Sequence, residues 1–294
     1  MAIAKKIARR LSPQNMSYYM QRKIRKPSSR DKVASYLCGR LPKPTNNEDV
    51  TAEIEELNKS GIVFLPDSLT PEQVAEVVAW MKQTQLQNAH FPGTFTYDHA
   101  PEGAHVGMAM KSEIAKCPHI LNIANSPKYL SIASKFLGCQ PTISLITAWW
   151  SYGGRSKAVD AENFHRDVDD WKFLKFFTYL TDVDDEAGPH VYVKNSSNSD
   201  KLIDLRRFED KEVEETFGKE NVLSITGKAG STFMENTYGI HKGTLPRSKN
   251  RLVMQIEYSL RPIPYDYKPV PESAVTVTHK LDPYINRLFV AHAG

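Results

Sequence analysis

A chain of 294 residues with 40 % apolar content is long enough to bury one substantial core, which points to one domain with additions rather than several domains. No stretch approaches the roughly 20 apolar residues that span a bilayer, no uninterrupted apolar run marks a signal peptide, and Cys38, Cys117 and Cys139 are odd in number and lack CxxC spacing; a soluble protein of a reduced, cytoplasmic compartment is expected. The formal charge of +4 conceals a basic head, residues 1–45, with 12 Lys/Arg against the single acid Asp31, ahead of a body with 26 Lys/Arg against 33 Asp/Glu.

The head opens with Ile3, Ile7 and Leu11 at helical spacing beside Lys5, Lys6, Arg9 and Arg10. A pattern of this kind stays solvated, or touches an anionic membrane surface or an acidic partner, while the low serine content of the first eleven residues disfavours an organellar transit peptide. Nucleic acid is not expected as a partner, because neither zinc-finger spacing nor the aromatic signature of an RNA-binding sheet is present. Residues 41–45, Leu-Pro-Lys-Pro-Thr, read as a linker, so residues 1–45 form an extension and 46–294 a single folded domain.

In the body, Val50, Ile54 and Leu57 predict a short helix, and residues 61–65 a buried strand. Thr70, Pro71 and Gln73 are an N-cap, a proline at the first helical position and a capping-box partner; the helix they start carries Val74, Val77, Val78 and Met81. Ser126-Pro127 repeats the start signal, Leu130, Ala133 and Leu137 supply an apolar face, and Gly138 the stop. From residue 142 the period becomes strand-like, with candidates at 142–150, 172–183, 190–194, 222–225, 231–234 and 251–260. Helices followed by strands predict an α+β chain with a mainly β core, its second half an antiparallel sandwich or barrel.

Chemistry concentrates in Asn163-Phe-His-Arg-Asp-Val-Asp-Asp170. Two residues apart in extended chain, His165 and Asp167 project to the same side and can meet one metal ion. A third ligand must come from elsewhere, and His241, between two late strand candidates, is placed for a neighbouring strand to deliver it. Two histidines and a carboxylate leave three positions open on an octahedral metal, as non-haem Fe(II) oxygenases require for a bidentate co-substrate and O2. Zinc is the competing metal, but HExxH is absent. Arg251, opening a strand ten residues after His241, can present a planar fork to a carboxylate. Arg247 is its rival, in a turn expected to face solvent. Tryptophans 149, 150 and 171 are read as core, His190 as a structural histidine, and Asp169 and Asp170 as loop acids.

The ordered set Ser60-Gly-Ile-Val-Phe-Leu-Pro66, Thr70-Pro-Glu-Gln73, Leu137-Gly138, Phe164-His-Arg-Asp167, Tyr179-Leu-Thr-Asp-Val183, Gly188-Pro189, then His241, Gly243, Pro246 and Arg251 resembles the phytanoyl-CoA dioxygenase family of 2-oxoglutarate oxygenases over residues 55–262. The resemblance implies a double-stranded β-helix (jelly roll) with N-terminal helices packed on it. It implies Fe(II) on His165, Asp167 and His241, with 2-oxoglutarate on Arg251 and O2 as co-substrate. Thr244 and Lys111 are weaker candidates for contacts to 2-oxoglutarate. The implied activity is a dioxygenase that hydroxylates a small-molecule, lipid or sugar-derived substrate with release of succinate and CO2. Where relatives read Pro-Gly-Ser-His this chain has Lys194-Asn-Ser-Ser197, which leaves the substrate open. The competing expectations are a non-catalytic jelly-roll module docked on membrane by its basic head, and a cupin-like metal enzyme, for which Arg251 has no use.

Overall fold

Side chains alternate across a strand, so a sheet buried on both faces requires apolar residues at every position. Two central strands of this chain, Phe173–Tyr179 and Arg251–Ser259, are buried at every position and apolar at most of them, and the fold is built around them. The structure is a computed structural model that describes residues 13–45, 48–263 and 269–291; the basic amphipathic pattern over residues 3–11 lies outside the described residues.

Helices α1 (Pro13–Lys23), α2 (Pro27–Cys38), α3 (Thr51–Ser60), α4 (Pro71–Gln83) and α5 (Pro127–Leu137) dominate the first half. The expected start of α4 is present in full: Thr70 Oγ1 accepts from the Gln73 N–H, and the Gln73 side chain accepts from the Thr70 N–H. Gly138 ends α5 at φ +86°, in the left-handed region that glycine enters at no steric cost.

The strands of the two larger sheets are β1 (Ile62–Leu65), β2 (Leu86–Asn88), β3 (Phe91–Phe95), β4 (Val106–Ala109), β5 (Thr142–Ser151), β6 (Phe173–Tyr179), β7 (His190–Val193), β8 (Val222–Ile225), β9 (Thr232–Glu235), β10 (His241–Gly243) and β11 (Arg251–Ser259). Helix α6 (Asp210–Phe217) lies between β7 and β8. Eight strands form the main sheet in the order β1-β9-β6-β11-β5-β4-β2-β3, and β10-β7-β8 form a smaller one. The neighbouring strands within both sheets run antiparallel. This is a double-stranded β-helix with helices packed on its main sheet. Each strand expected from residue 142 onward is present, with ends moved by one to a few residues. Strands β2, β3, β4 and β10 were not expected.

One face of the main sheet, with Ile146, Ala148, Leu174, Phe176, Met254 and Ile256, shares its core with Val77, Met81 and Ile132 of the helices. The other face, with Phe177, Tyr179, Phe233 and Val253, packs on Tyr192 and Ile225 of the smaller sheet. The candidate site lies between the sheets, beside this second core.

Part of the basic head is docked rather than solvated. Gln21 Nε2 donates to Asp170 Oδ1 at 3.1 Å. Arg30 donates to the carbonyls of Gln21 and Asp170 and lies 4.3 Å above the Tyr238 ring. The Trp171 indole N–H donates to Ser17 Oγ at 3.0 Å. Val33, Ala34, Leu37 and Cys38 seat α2 on the main core, whereas the buried polar contacts of Gln21 and Arg30 follow no apolar period and were not anticipated. Among the described residues no helix is long and apolar enough to cross a membrane.

Candidate metal centre

His165 and His241 meet through the backbone. The His165 N–H donates to His241 O and the His241 N–H to His165 O, each at 3.0 Å, so the two residues form an antiparallel bridge at the edge of the smaller sheet. Their rings then lie on one side, with centroids 4.3 Å apart. Each Nδ1 is 2.9 Å from a main-chain carbonyl, Asn163 O for His165 and Gly239 O for His241. An Nδ1–H donating there leaves Nε2 as the lone-pair nitrogen, which is the tautomer a metal requires.

Asp167 completes the group. Its N–H is fixed to Thr237 O at 3.0 Å, and its Oδ1 and Oδ2 lie 3.5 Å and 3.3 Å from Nε2 of His165 and His241. One ligand atom from each of the three residues falls within 4.8 Å of the others. Two imidazole nitrogens and one carboxylate oxygen, converging from one side, fit Fe(II) with open positions.

The electrostatics agree with that role. Burial depresses the basicity of His241, keeping it unprotonated. Burial would raise the Asp167 carboxyl, but the Lys175 ammonium at 2.7 Å opposes it, and the group sits well below the usual carboxylate range. Beside the ligands, His190 Nε2 and Glu235 Oε1 form a buried pair at 2.8 Å. Burial pushes His190 down to about 3 and Glu235 up to about 8, so a neutral imidazole faces a protonated acid. His190 is thus a satisfied histidine outside the ligand group, as the sequence indicated.

Arg251 opens β11 on the inner face of the main sheet, 4 % exposed. Its Nη2 donates to Ser151 Oγ at 3.3 Å, while Nε and Nη1 have no partner among the described residues. A cationic fork buried with two idle donors is unfavourable unless an anion completes it. A Cβ at Gly243 would stand 3.2 Å from Arg251 Nη2, so glycine at that position keeps the fork clear. Arg247 is exposed in its turn, 3.7 Å from Glu186, and takes no part.

The three ligand candidates and Arg251 line one cavity of about 510 Å3. Its further walls include Val106, Met108, Leu145 and Trp149, with Thr147 and Gln255 as uncharged polar positions. Thr147 Oγ1 is buried without a hydrogen-bond partner among the described residues. Trp150 turns to the opposite face, beneath α4, and donates to Met81 O. Thr244 is not among the lining residues; its N–H donates to Pro189 O. The side chain of Lys111 lies outside the described residues.

The sequence reading missed the charges around Asp167. Asp169 is no free loop acid: it lines the cavity and accepts from Lys175 at 2.8 Å. Asp170 is 2 % exposed and accepts from the N–H groups of Trp171 and Arg261 as well as from Gln21. A lone lysine among the aromatic and aliphatic residues of β6 was the available signal.

No protein-family model and no curated protein matches the chain. Solved structures do match it. One is EctD from S. alaskensis with 2-oxoglutarate and 5-hydroxyectoine, at TM-score 0.53 and 15 % identity, covering 74 % of this chain and 82 % of that one. Another is HygX from Streptomyces hygroscopicus with nickel and 2-oxoglutarate, at TM-score 0.51 and 13 % identity, covering 83 % and 100 %. A third is the non-haem α-ketoglutarate-dependent epimerase SnoN of nogalamycin biosynthesis, at TM-score 0.50 and 16 % identity, covering 71 % and 83 %. At these identities the likeness establishes the shared fold.

Proposed function

We propose that this chain is an Fe(II)- and 2-oxoglutarate-dependent oxygenase of the phytanoyl-CoA dioxygenase family, acting on a small molecule. The observation that carries the reading is the pairing, in one cavity, of a His-Asp-His ligand group with a buried arginine whose Nε and Nη1 are unpartnered. His165, Asp167 and His241 would hold the iron, and Arg251 the far carboxylate of 2-oxoglutarate. When bound, the iron and its co-substrate supply oxidation of a C–H bond by O2, with succinate and CO2 as co-products. The chain's own contribution is orientation and exclusion of water. The Asn163 and Gly239 carbonyls set both imidazole tautomers, and Gly243 and Ser151 position the Arg251 fork.

The walls also bear on the substrate. Among the described lining residues, Lys175 and Asp169 pair with each other, Glu162 with His105, and Arg251 is reserved for the co-substrate. An uncharged, largely apolar group carrying one or two hydrogen-bonding atoms suits the remaining walls. The matched structures include an epimerase and a carbocyclase, so hydroxylation is the default within a wider class of C–H oxidations.

Anaerobic titration of the protein with Fe(II) and then 2-oxoglutarate tests this reading through the weak visible band of the chelate. Wild type is expected to develop the band, His165→Ala to lose it, and Arg251→Ala to need on the order of a hundredfold more 2-oxoglutarate, the loss of a bidentate charged contact worth about 3 kcal/mol. A folded wild-type protein that develops no band would leave the fold as a binding module and end the oxygenase reading.

A further inference from the structure

Lys175 stands on β6 opposite Glu257 of β11 and Glu235 of β9, with its side chain 7 % exposed. Its Nζ lies 2.7 Å from Asp167 Oδ2, 2.8 Å from Asp169 Oδ2 and 3.6 Å from Glu257 Oε2. Asp167, Asp169 and Lys175 all line the cavity. Among the described residues neither oxygen of Glu257 has a hydrogen-bond partner, and burial raises its carboxyl well above the ordinary range. By distance the ammonium is shared by the side chains of Asp167 and Asp169, of which Asp167 is a candidate iron ligand.

The three open positions of the proposed centre exist only while the protein supplies three ligand atoms. Two nearby groups could supply more: the second oxygen of Asp167, by chelation, and the carboxylate of Asp169, two residues along and facing the same cavity. Lys175 binds both. Asp167 Oδ2 is engaged with the ammonium, which leaves Oδ1 as the oxygen free for metal, and Asp169 is tied to the same nitrogen.

We propose that Lys175 is a positioning residue that holds the ligand group at three donors by restraining Asp167 to one coordinating oxygen and keeping Asp169 off the metal. The inference rests on the oxygenase reading given above. It differs from simple charge neutralisation in what its loss should do. A neutralising lysine sets how tightly a cation is held. A lysine that guards open positions sets whether a bidentate co-substrate can follow the metal.

The test is calorimetric titration of full-length protein with Co(II), then of the Co(II)-loaded protein with 2-oxoglutarate, with Co(II) ligand-field spectra recorded in parallel. Lys175→Met is expected to bind Co(II) at least as tightly as wild type, to show a spectrum of altered coordination, and to bind 2-oxoglutarate about tenfold or more weakly, the range typical for groups that orient ligands. Lys175→Met/Asp169→Asn is expected to recover most of that loss, and Lys175→Arg to stay near wild type. Circular dichroism confirms that each variant is folded; if Lys175→Met is not, the comparison of Lys175→Met/Asp169→Asn with Asp169→Asn alone decides, because lysine loss should then weaken 2-oxoglutarate only through Asp167 chelation and change the spectrum. A lysine-free variant with wild-type spectrum and 2-oxoglutarate affinity overturns the proposal while the oxygenase reading stands. Wild-type protein that takes up no Co(II) overturns both.

Discussion

Arg251 shows how a single buried group separates a structural role from a functional one. An arginine that holds a fold has its donors used, and truncating it costs about 3–5 kcal/mol. Arg251 keeps two of its nitrogens idle at 4 % exposure, so the ligand-free protein carries a desolvated cation with little return. Arg251→Met should therefore leave the ligand-free protein within about 1 kcal/mol of wild type, or more stable, in urea denaturation, and should remove the stabilisation that 2-oxoglutarate confers. A loss above about 3 kcal/mol without ligand would make Arg251 structural. This residue was legible in the sequence because an arginine at the start of a strand, ten positions past a candidate ligand, has few bland uses. Lys175 was not, because its partners Asp167, Asp169 and Glu257 are assembled by the loop before β6 and by β11, and strand register is a tertiary fact.

At the scale of elements, the strands that were legible are those with unbroken β-branched and aromatic runs, above all β5, β6 and β11. The unexpected β3, Phe91-Pro-Gly-Thr-Phe95, contains both residues that ordinarily interrupt a strand and sits at the sheet edge, where proline and glycine are tolerated. Strand β10 is three residues long, too short for any period to register. Helices α1 and α2 are tied to the ligand segment by Asp170, which receives Gln21, Trp171 and Arg261 on its side chain while Arg30 reaches its carbonyl. Burial lifts the Asp170 carboxyl to about 6, against about 3.9 when unfolded. A raised acid favours the folded state at low pH: its contribution is complete below about pH 4 and is lost as pH rises through 6. Measured against Asp170→Asn, wild-type stability should thus fall by up to about 3 kcal/mol between pH 4 and 6.5 and stay level above that. A flat difference across that range, or one rising with pH, would mean that the hydrogen bonds to Asp170 outweigh its burial.

Across the whole molecule, the candidate site joins parts that the chain keeps apart. His165 and Asp167 come from the segment ahead of β6, His241 from the edge of the smaller sheet and Arg251 from the centre of the main one. Between the sheets the contact is the apolar cluster of Phe177, Tyr179, Tyr192, Phe233 and Val253, and all of these but Tyr192 also wall the cavity that the ligand group and Arg251 line. A metal ion on the first group with a dicarboxylate reaching Arg251 would bridge the two sheets at the place where protein atoms do not. Ligands that bind only the folded state stabilise it by mass action, about 2.7 kcal/mol at a hundred times the dissociation constant, which for a domain of this size raises the melting temperature by roughly 5 to 10 °C. Co(II) with 2-oxoglutarate should produce that rise, a chelator should reverse it, and Co(II) with succinate, which lacks the 2-oxo group, should give a smaller one. Hydrogen exchange should slow at β10, at residues 164–167 and at the start of β11, and remain unchanged in α3 and α4, which lie on the far face of the main sheet. Protection spread evenly over the molecule, or a melt indifferent to both ligands, would show that the cavity does not bridge the sheets in this way, and the proposed centre would then lack the thermodynamic signature that its geometry demands.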